Sequence, residues 1–426
     1  MINESLISNL LELVKQDVFP ALGCTEPIAV AYASAMARKH FNGTLDNILI
    51  RVSKNIYKNG KSVMIPKVNE SGLDLAAALG FLSGNTDKVF MVLENVDDES
   101  IKVAHDMISS GQVQVEYLKD SPDIYVYVKA SGSDSVVEVE LKDSHTHIDR
   151  IIENGKVIYE AEEDMGQSMS ANFLKDMTLK DIRQVCELIP IEELEFIEDG
   201  IDMNRKAAEK GMNEQIGINM GYAYSKLLEK GRLTEDSPTR ARILTAAACD
   251  VRMSGGNCPI MTSGGSGNQG LGVVLPIVVV GEDQGIEREK LLRAVLMGHL
   301  VNRYMKTFTG KLSGMCGCAI AAGIGASAGI TWMLGGDDDK ISGACTNMLA
   351  NLTGMICDGA KETCALKLST SACEAVISAY LANEGVTIRN NVGIVGSSIE
   401  ETIKNVGVLA RESFNGVDDL IIDLIG

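Results

Sequence analysis

The chain has 426 residues, of which 45% are hydrophobic and 23% charged, and its formal net charge is −19. This composition is typical of a globular protein with two domains, and it excludes a disordered chain. The strong negative charge, with no basic stripe beside aromatic residues, argues against a nucleic-acid partner.

The N-terminal segment predicts two helices. Leu6 and Leu10 follow helical spacing, and Thr25 with Pro27 marks the start of the second helix. The segment has no basic n-region and no apolar core of a signal peptide. We therefore expect a cytoplasmic protein whose cysteines stay reduced or bind metal. Cys24 stands at a helix N-terminus, where the helix dipole favours a thiolate.

From residue 47 the hydrophobic period changes to two, which predicts strands. Residues 48–57 and 61–66 are expected to form a hairpin around Lys58-Asn59-Gly60. Further strands are expected at 88–95, 113–118, 124–131, 135–142 and 148–162, the last with a turn at Asn154-Gly155. Two short helices are expected at 73–82 and 99–110. Together these elements predict an α+β sheet domain.

After a polar stretch near 162–172 the hydrophobic period returns to 3.6. This predicts helices at 178–187, 191–210, 214–230, 239–252, 286–308, 316–334, 341–357 and 365–384. The expected fold class is α+β, with a mixed sheet domain followed by a largely helical catalytic domain. The expected divisions are 1–46 (N-terminal helices packing on the catalytic domain), 47–172 (sheet domain) and 173–426 (helical domain).

Two apolar stretches need to be weighed as membrane spans. Residues 271–281 are too few to cross a bilayer, and they contain Pro276. Residues 315–334 are enough, but their Gly and Ala content gives little hydrophobic drive. Gly325 and Gly329 form a GxxxG pair, which also serves close packing of helices in protein cores. We therefore expect a buried helix and no membrane partner.

Five of the ten cysteines lie between residues 311 and 368. Cys357 and Cys364 flank a polar turn between two predicted helices, and Cys316 follows Gly314 at another helix start. Such positions suit metal ligands, although buried free cysteine is an equally good interpretation of the spacing alone. The chain has no CxxC pair, so the spacings of zinc ribbons and ferredoxins are absent.

The segment 263–270, SGGSGNQG, is a second candidate site. Glycines let successive N–H groups converge on an anion, and hydroxyl and amide side chains add donors. It is neither a Walker loop nor a dinucleotide-binding fingerprint, and a plain glycine turn is the other interpretation. If it binds substrate, the expected residues are Ser263, Gly264, Ser266, Gly267 and Asn268.

Four segments resemble the iron–sulfur L-cysteine desulfidase family, which is related to the bacterial iron–sulfur L-serine dehydratases. They are GCTEPIAVAYA, RMSGGNCPIMTSGGSGNQG, CGCAIAAGIGASAGITWMLGG and GMICDGAKETCALK. The resemblance spans nearly the whole chain. It implies a [4Fe-4S] cluster held by Cys316, Cys357 and Cys364, with one open iron as a Lewis acid.

Within that resemblance, Cys318 is a rival to Cys316. The dehydratases have a Gly thirteen residues after the ligand, and counting from Cys316 reaches Gly329 whereas counting from Cys318 reaches Thr331. Cys316 is therefore preferred. The loop 357–364 is shorter than the dehydratase loop and lacks its prolines.

The resemblance implies β-elimination of L-cysteine to sulfide, ammonia and pyruvate through aminoacrylate. An iron–sulfur L-serine or L-threonine dehydratase is the alternative, because the same cofactor serves both reactions. A metal-binding protein without turnover is a third hypothesis, and it would need a closed site with four ligands. The oligomeric state is left open, with a homodimer as one option.

The resemblance also bears on residues outside the ligand set. It favours a catalytic Cys24, either as acid/base or as a removable fourth ligand, over a loop cysteine without a role. Lys58 and Asn59 belong to the family pattern and are expected at the substrate, although a solvated hairpin tip is the alternative. His145 and His147 end a predicted strand; His147 is the candidate for the pocket, and a surface position is the alternative.

Overall fold

The computed structural model describes residues 3–162, 173–310 and 312–425. Its fold is α+β, as predicted, with a mixed sheet in the N-terminal half and helices in the C-terminal half. The predicted boundary at 172 falls among residues outside this description, so the three predicted divisions stay a prediction. In chain order the N-terminal half contains α1 (Glu4–Asp17), β1 (Pro20–Ala21), α2 (Thr25–His40), β2 (Leu45–Ser53), α3 (Lys54–Gly60), α4 (Leu73–Ser83), α5 (Asp98–Ser109), β3 (Val113–Leu118), β4 (Tyr125–Gly132), β5 (Val136–Lys142), β6 (Ile148–Glu153) and β7 (Lys156–Glu160).

The sheet has six strands in the order β3-β2-β4-β5-β6-β7. β2 and β3 are parallel, and all other neighbours are antiparallel. Alternate residues of β4 and β5 are buried, as the period of two predicts. They pack against α2 and α4, which cover one face of the sheet.

The two N-terminal helices pack in different places. Asn3 caps α1, because its side chain accepts from the N–H of Leu6, and the buried face of α1 joins the core of the helical half. α2 packs on the sheet and on α4. That contact is close, because a Cβ on Gly80 would lie 2.2 Å from the carbonyl oxygen of Ala31.

Two strand predictions are wrong. β2 ends at Ser53 and the chain continues as α3, so the hairpin around residues 58–60 does not form. Gly60 is buried against Leu73, where a Cβ would lie 2.3 Å from a side-chain methyl, so packing replaces the expected exposed turn. Residues 88–95 form no strand: Thr86–Met91 is a 3-10 helix, and the ring of Phe90 stacks on that of Phe19 with 4.2 Å between ring centroids.

The C-terminal half contains 3-10 turns and the elements α6 (Leu179–Leu188), α7 (Glu195–Asn213), α8 (Met220–Glu229), α9 (Ser237–Met253), β8 (Ile260–Met261), α10 (Gly267–Asp283), α11 (Arg288–Thr309), α12 (Ala321–Met333), α13 (Asp338–Leu352), α14 (Cys364–Asn383), α15 (Ile399–Val408) and α16 (Phe414–Ile425). The glycine-rich segment leads into α10, a helix that includes Pro276 and the apolar residues 271–281. α15 and α16 extend the helical half beyond the last predicted helix.

α12 lies among α10, α11, α13 and α14 and confirms the predicted buried helix. Glycine permits its close contact with α11: a Cβ on Gly325 would lie 2.4 Å from the carbonyl oxygen of Gly298. A Cβ on Gly329 would lie 2.5 Å from that of Ala294. In the described part of the chain, no helix is long and apolar enough to cross a membrane.

A small strand pair joins the two halves. β1 pairs antiparallel with β8, with Pro20 opposite Met261 and Ala21 opposite Ile260. α2 begins shortly after β1, and α10 begins shortly after β8. This pairing therefore brings the N-termini of two buried helices together, although they are far apart in sequence.

Candidate active site

The N-termini of α2 and α10 open onto one cavity of about 230 Å³. Five thiols from three separate segments line it: Cys24, Cys316, Cys318, Cys357 and Cys364. The structure thus brings the three predicted cluster ligands, the rival Cys318 and the predicted catalytic Cys24 to one site.

An antiparallel bridge between Met315 and Ile356 joins two of the cysteine segments. On either side of it, the N–H groups of Cys316 and Cys357 each donate to a carbonyl of the opposite segment at 2.8 Å. The spacing between these two cysteines is therefore set by backbone hydrogen bonds.

Cys364 reaches the cavity from the first residue of α14. The chain enters this helix through Gly359, whose φ of 97° suits glycine. A Cβ there would lie 2.5 Å from the carbonyl oxygen of Lys58, so any larger residue would displace the loop or α3. The short loop 357–364 is thus held against the N-terminal half.

Nearby groups adjust the acidity of these thiols. A hydrogen bond from the Cys318 thiol lowers the pKa of Cys316 to about 7, against the effect of burial. Burial raises the pKa of Cys357, and the charges of Lys58 and Lys367 oppose that rise. Cys316 is therefore the thiol most easily ionised for metal binding.

The donor set fits an iron–sulfur cluster. Cys316, Cys357 and Cys364 supply three thiols to one cavity, and thiolate is the ligand that iron–sulfur clusters use. Among the residues described here, no three His, Cys, Asp or Glu side chains lie close enough to share a single metal ion. A wider spacing suits a cluster, in which each thiolate binds a different iron.

Cys24 is the N-cap residue of α2 and is buried. Its Sγ donates to Oε2 of Glu26 at 2.8 Å. Burial, followed by the charge of Glu26, raises the pKa of Cys24 well above its usual value. The thiolate expected from the helix dipole is therefore wrong: the Cys24 side chain holds its proton.

Glu26 is a buried carboxylate at the same helix start. Besides the Cys24 thiol, it accepts from Nδ2 of Asn59 at 3.0 Å. Burial would raise its pKa, but the charge of His145, these hydrogen bonds and the charge of Arg252 lower it. The pair thus consists of a protonated thiol and an ionised acceptor.

The turn at the start of the glycine-rich segment already uses several of its N–H groups within the protein. The N–H groups of Ser263 and Ser266 donate to each other's carbonyl oxygens, and that of Gly265 donates to Asp17. The first turn of α10 is different, because its N-cap Ser266 provides no side-chain hydrogen bond. The capacity to bind an anion therefore lies at the start of the helix rather than in the turn before it.

Buried polar groups behind the segment hold its shape. Oγ of Ser263 lies 2.8 Å from Nδ1 of His299 and accepts from Nδ2 of Asn302 at 2.9 Å. Nζ of Lys306 donates to the carbonyl oxygen of Gly264. Ser263 itself does not line the cavity.

The predicted substrate-binding residues divide into two groups. Those that line the cavity are Asn59, Gly264, Ser266 and Asn268. Those that do not are Lys58, Ser263, Gly267 and His147. Lys58 forms a buried ion pair with Asp418. In place of His147, its neighbour His145 faces the cavity.

Sequence reasoning missed several lining residues, among them Glu26, Arg252, Gln269, Lys306 and Lys367. Glu26 has an ordinary explanation as an acid in the first turn of a helix, and Arg252 and Lys306 have one as cations in the last turn of a helix. The signal that could have found four of them is the family resemblance, whose segments include Glu26, Arg252, Gln269 and Lys367 but not Lys306.

Residues 90–423 match the family model described as the serine dehydratase alpha chain, and the chain belongs to that family. The predicted relationship to the iron–sulfur serine dehydratases is thus confirmed. At the level of the family, it supports a lyase with an iron–sulfur cofactor and a small-molecule substrate.

Curated relatives cover almost the entire chain. A UPF0597 protein of Clostridium botulinum is 50% identical over 422 residues, which are 99% of this chain and 97% of the relative. A UPF0597 protein of Caldanaerobacter subterraneus is 40% identical, over 98% of this chain and 97% of its own. One from Alkaliphilus oremlandii is 39% identical, with the same shares.

Proposed function

We propose that this protein is an L-cysteine desulfidase, a carbon–sulfur lyase that depends on an iron–sulfur cluster. One observation carries the proposal: three candidate ligand thiols and a protonated Cys24 paired with Glu26 line the same cavity. The ligands and the proton donor would therefore address one substrate.

Cys316, Cys357 and Cys364 would hold the cofactor. When bound, a [4Fe-4S] cluster with three cysteine ligands supplies an open iron, a Lewis acid that polarises a leaving group. The charge of Lys367 lowers the pKa of each of these thiols, which favours the ionised form that metal binding requires.

Cys24 has the properties of a general acid. Its proton rests on Sγ, and the hydrogen bond to Glu26 fixes the direction of the side chain. A buried thiol beside the substrate can deliver this proton to the sulfide that leaves Cβ. The negative charge of Glu26 then repels the Cys24 thiolate, and this repulsion favours return of the proton to Sγ.

The overall reaction is balanced without a redox partner. Loss of the Cα proton and cleavage of the Cβ–S bond release hydrogen sulfide and leave 2-aminoacrylate. Its tautomer, an imine, is hydrolysed by one water to pyruvate and ammonia.

A dehydratase for L-serine or L-threonine is the second candidate, and the match to the serine dehydratase family model favours it. Both reactions need the same ligands and the same acid. We favour L-cysteine because a soft thiolate binds iron better than a hydroxyl does, and because sulfide leaves more easily than hydroxide.

The test is turnover by anaerobically reconstituted protein with L-cysteine, L-serine and L-threonine as separate substrates. We expect equal amounts of sulfide and pyruvate from L-cysteine, with the highest kcat/KM of the three. A higher kcat/KM for L-serine than for L-cysteine would favour the dehydratase over the desulfidase. Full activity of iron-free protein would contradict the cluster. The variant Cys345→Ala, which removes a buried thiol outside the cavity, serves as the control.

A further inference from the structure

Arg252 is a buried cation that faces the cavity and is incompletely satisfied. Its side chain lines the cavity, and the residue is only 3% exposed. Nη1 donates to Oδ1 of Asn268 at 3.0 Å. Nε is buried and has no hydrogen-bond partner among the described residues. A buried guanidinium in this condition is costly unless an anion completes its hydrogen bonds.

The first turn of α10 lies directly beneath this guanidinium. A Cβ on Gly267 would lie 2.4 Å from Nε of Arg252, so only glycine leaves room for the arginine in this position. Ser266 precedes the helix in an extended conformation and provides no side-chain cap. The N–H groups of this turn have no partner within the helix.

Two features thus place positive charge on the same side of the cavity: Arg252, which lines it, and the uncapped start of a helix with 17 residues, whose Ser266 and Asn268 also line it. The planar fork of arginine matches a carboxylate, and helix N-termini bind anions through their amides.

We propose that Arg252 and the first turn of α10 bind the α-carboxylate of the substrate. This inference rests on the proposed function only in taking the substrate to be an α-amino acid. Arg252 lies near enough to Cys24 for its charge to lower the pKa of that thiol. A carboxylate held there would place Cα and Cβ between the arginine and the cysteine-lined side of the cavity.

The experiment compares two analogues of cysteine that share its thiol. 3-Mercaptopropionate keeps the carboxylate and lacks the amine, whereas cysteamine keeps the amine and lacks the carboxylate. Binding to the cluster-loaded protein is measured by anaerobic calorimetry, which requires no turnover. Wild-type protein should bind 3-mercaptopropionate. Arg252→Gln should weaken that binding about 10- to 100-fold, as expected for lost charge-assisted hydrogen bonds, and leave cysteamine almost unchanged.

Two further variants guard against a simple loss of structure. Arg252→Lys keeps the charge without the fork and should lose less affinity than Arg252→Gln. Gly267→Ala keeps the arginine but displaces its guanidinium, so it should also weaken 3-mercaptopropionate selectively. Gly416→Ala, where a Cβ meets no atom within 4 Å, is its control. Arg293→Gln, which removes a part-buried arginine outside the cavity, is the control for Arg252→Gln.

Equal weakening of both analogues by Arg252→Gln, or no weakening of 3-mercaptopropionate, would overturn the carboxylate site. So would the absence of 3-mercaptopropionate binding to the wild-type protein. Failure of the proposed reaction gives a different result: no sulfide from L-cysteine, while 3-mercaptopropionate, or 3-hydroxypropionate as the serine analogue, still binds in a manner that depends on Arg252.

Discussion

Lys58 of α3 and Asp418 of α16 form an ion pair with side chains that are 0% and 2% exposed. The pair joins the C-terminal helix to the segment that carries Asn59. Asp418 also packs beside Gly314, where a Cβ would lie 3.2 Å from its Oδ1. The carbonyl oxygen of Lys58 contacts Gly359 in the same way. This ion pair therefore lies behind both segments that present the proposed ligand thiols.

We predict that Asp418→Ala destabilises the protein by about 3–5 kcal/mol, because it leaves Lys58 buried without a partner. The free energy of unfolding in urea measures the effect. Asp419→Ala is the matched control: its pair with Lys54 has a carboxylate 35% exposed and should contribute about 1 kcal/mol or less. Equal losses in the two variants would show that the buried pair has no special structural role.

We predict that Cys316→Ala, Cys357→Ala and Cys364→Ala each lose the cluster. Iron and acid-labile sulfide per chain, with the visible absorption of anaerobically reconstituted protein, measure this loss. Removal of one of three thiolates leaves too few ligands to retain four irons.

Cys318→Ala should retain the cluster, because we propose its neighbour Cys316 as the ligand. Cys345→Ala, which removes a buried thiol that does not line the cavity, is the matched control. If Cys318→Ala lost its iron while Cys316→Ala kept it, Cys318 rather than Cys316 would be the cluster ligand.

We predict that Glu26→Gln lowers the pKa of the Cys24 thiol, because the charge of Glu26 helps to raise it. Alkylation of Cys24 by iodoacetamide, followed by peptide mass spectrometry over a range of pH, should shift to lower pH. Turnover should fall about 100-fold, as for loss of general acid–base catalysis, and Glu26→Asp should restore part of it.

Cys186 provides an internal control for this experiment. It is buried, its pKa is also raised mainly by burial, and it does not line the cavity. Its alkylation should be the same in wild type and Glu26→Gln. An unchanged profile for Cys24 as well would mean that Glu26 does not control its proton.

His299 makes stability depend on pH. Burial lowers its pKa from 6.5 to about 3, so the unfolded chain binds a proton in this interval and the folded chain does not. Its contribution is complete above the unfolded pKa and is lost as pH falls from 6.5 towards 3. At about pH 5 the loss is about 2 kcal/mol, by 1.36 kcal/mol per pKa unit.

Urea unfolding of wild type and His299→Gln at about pH 7.5 and pH 5 tests this effect. The variant is expected to be less stable at both values, because the contact with Ser263 is changed. Between the two values, however, it should lose about 2 kcal/mol less than wild type. Parallel losses in both proteins would place the pH dependence elsewhere.

Periodicity and spacing were sufficient for much of this molecule. Alternation along β4 and β5 predicted strands, because one face of a sheet is buried. The glycines of α12 predicted close helix packing, and Gly325 and Gly329 provide it. The segments around Cys316 and Cys357 predicted a thiol site, since cysteines at helix ends and turns can reach a ligand.

The tertiary structure decided the rest. The period of two continued past Ser53, yet the chain forms the helix α3, whose last residue Gly60 is buried against Leu73 where an exposed hairpin turn was expected. Dipole reasoning favoured a thiolate at Cys24, but burial and Glu26 reverse its ionisation. Burial, the larger cause in both cases, depends on contacts with other segments of the chain, which no local pattern reports.

The sequence by itself determined the fold class, the family resemblance and the residue types of the site. Only the folded chain decided which of these residues meet, because pairing of β1 with β8 joins two helix starts and the Lys58–Asp418 pair supports the thiol segments. Burial and the charges of neighbouring side chains set the pKa values of the site's thiols and carboxylate. Both arise only once those contacts form.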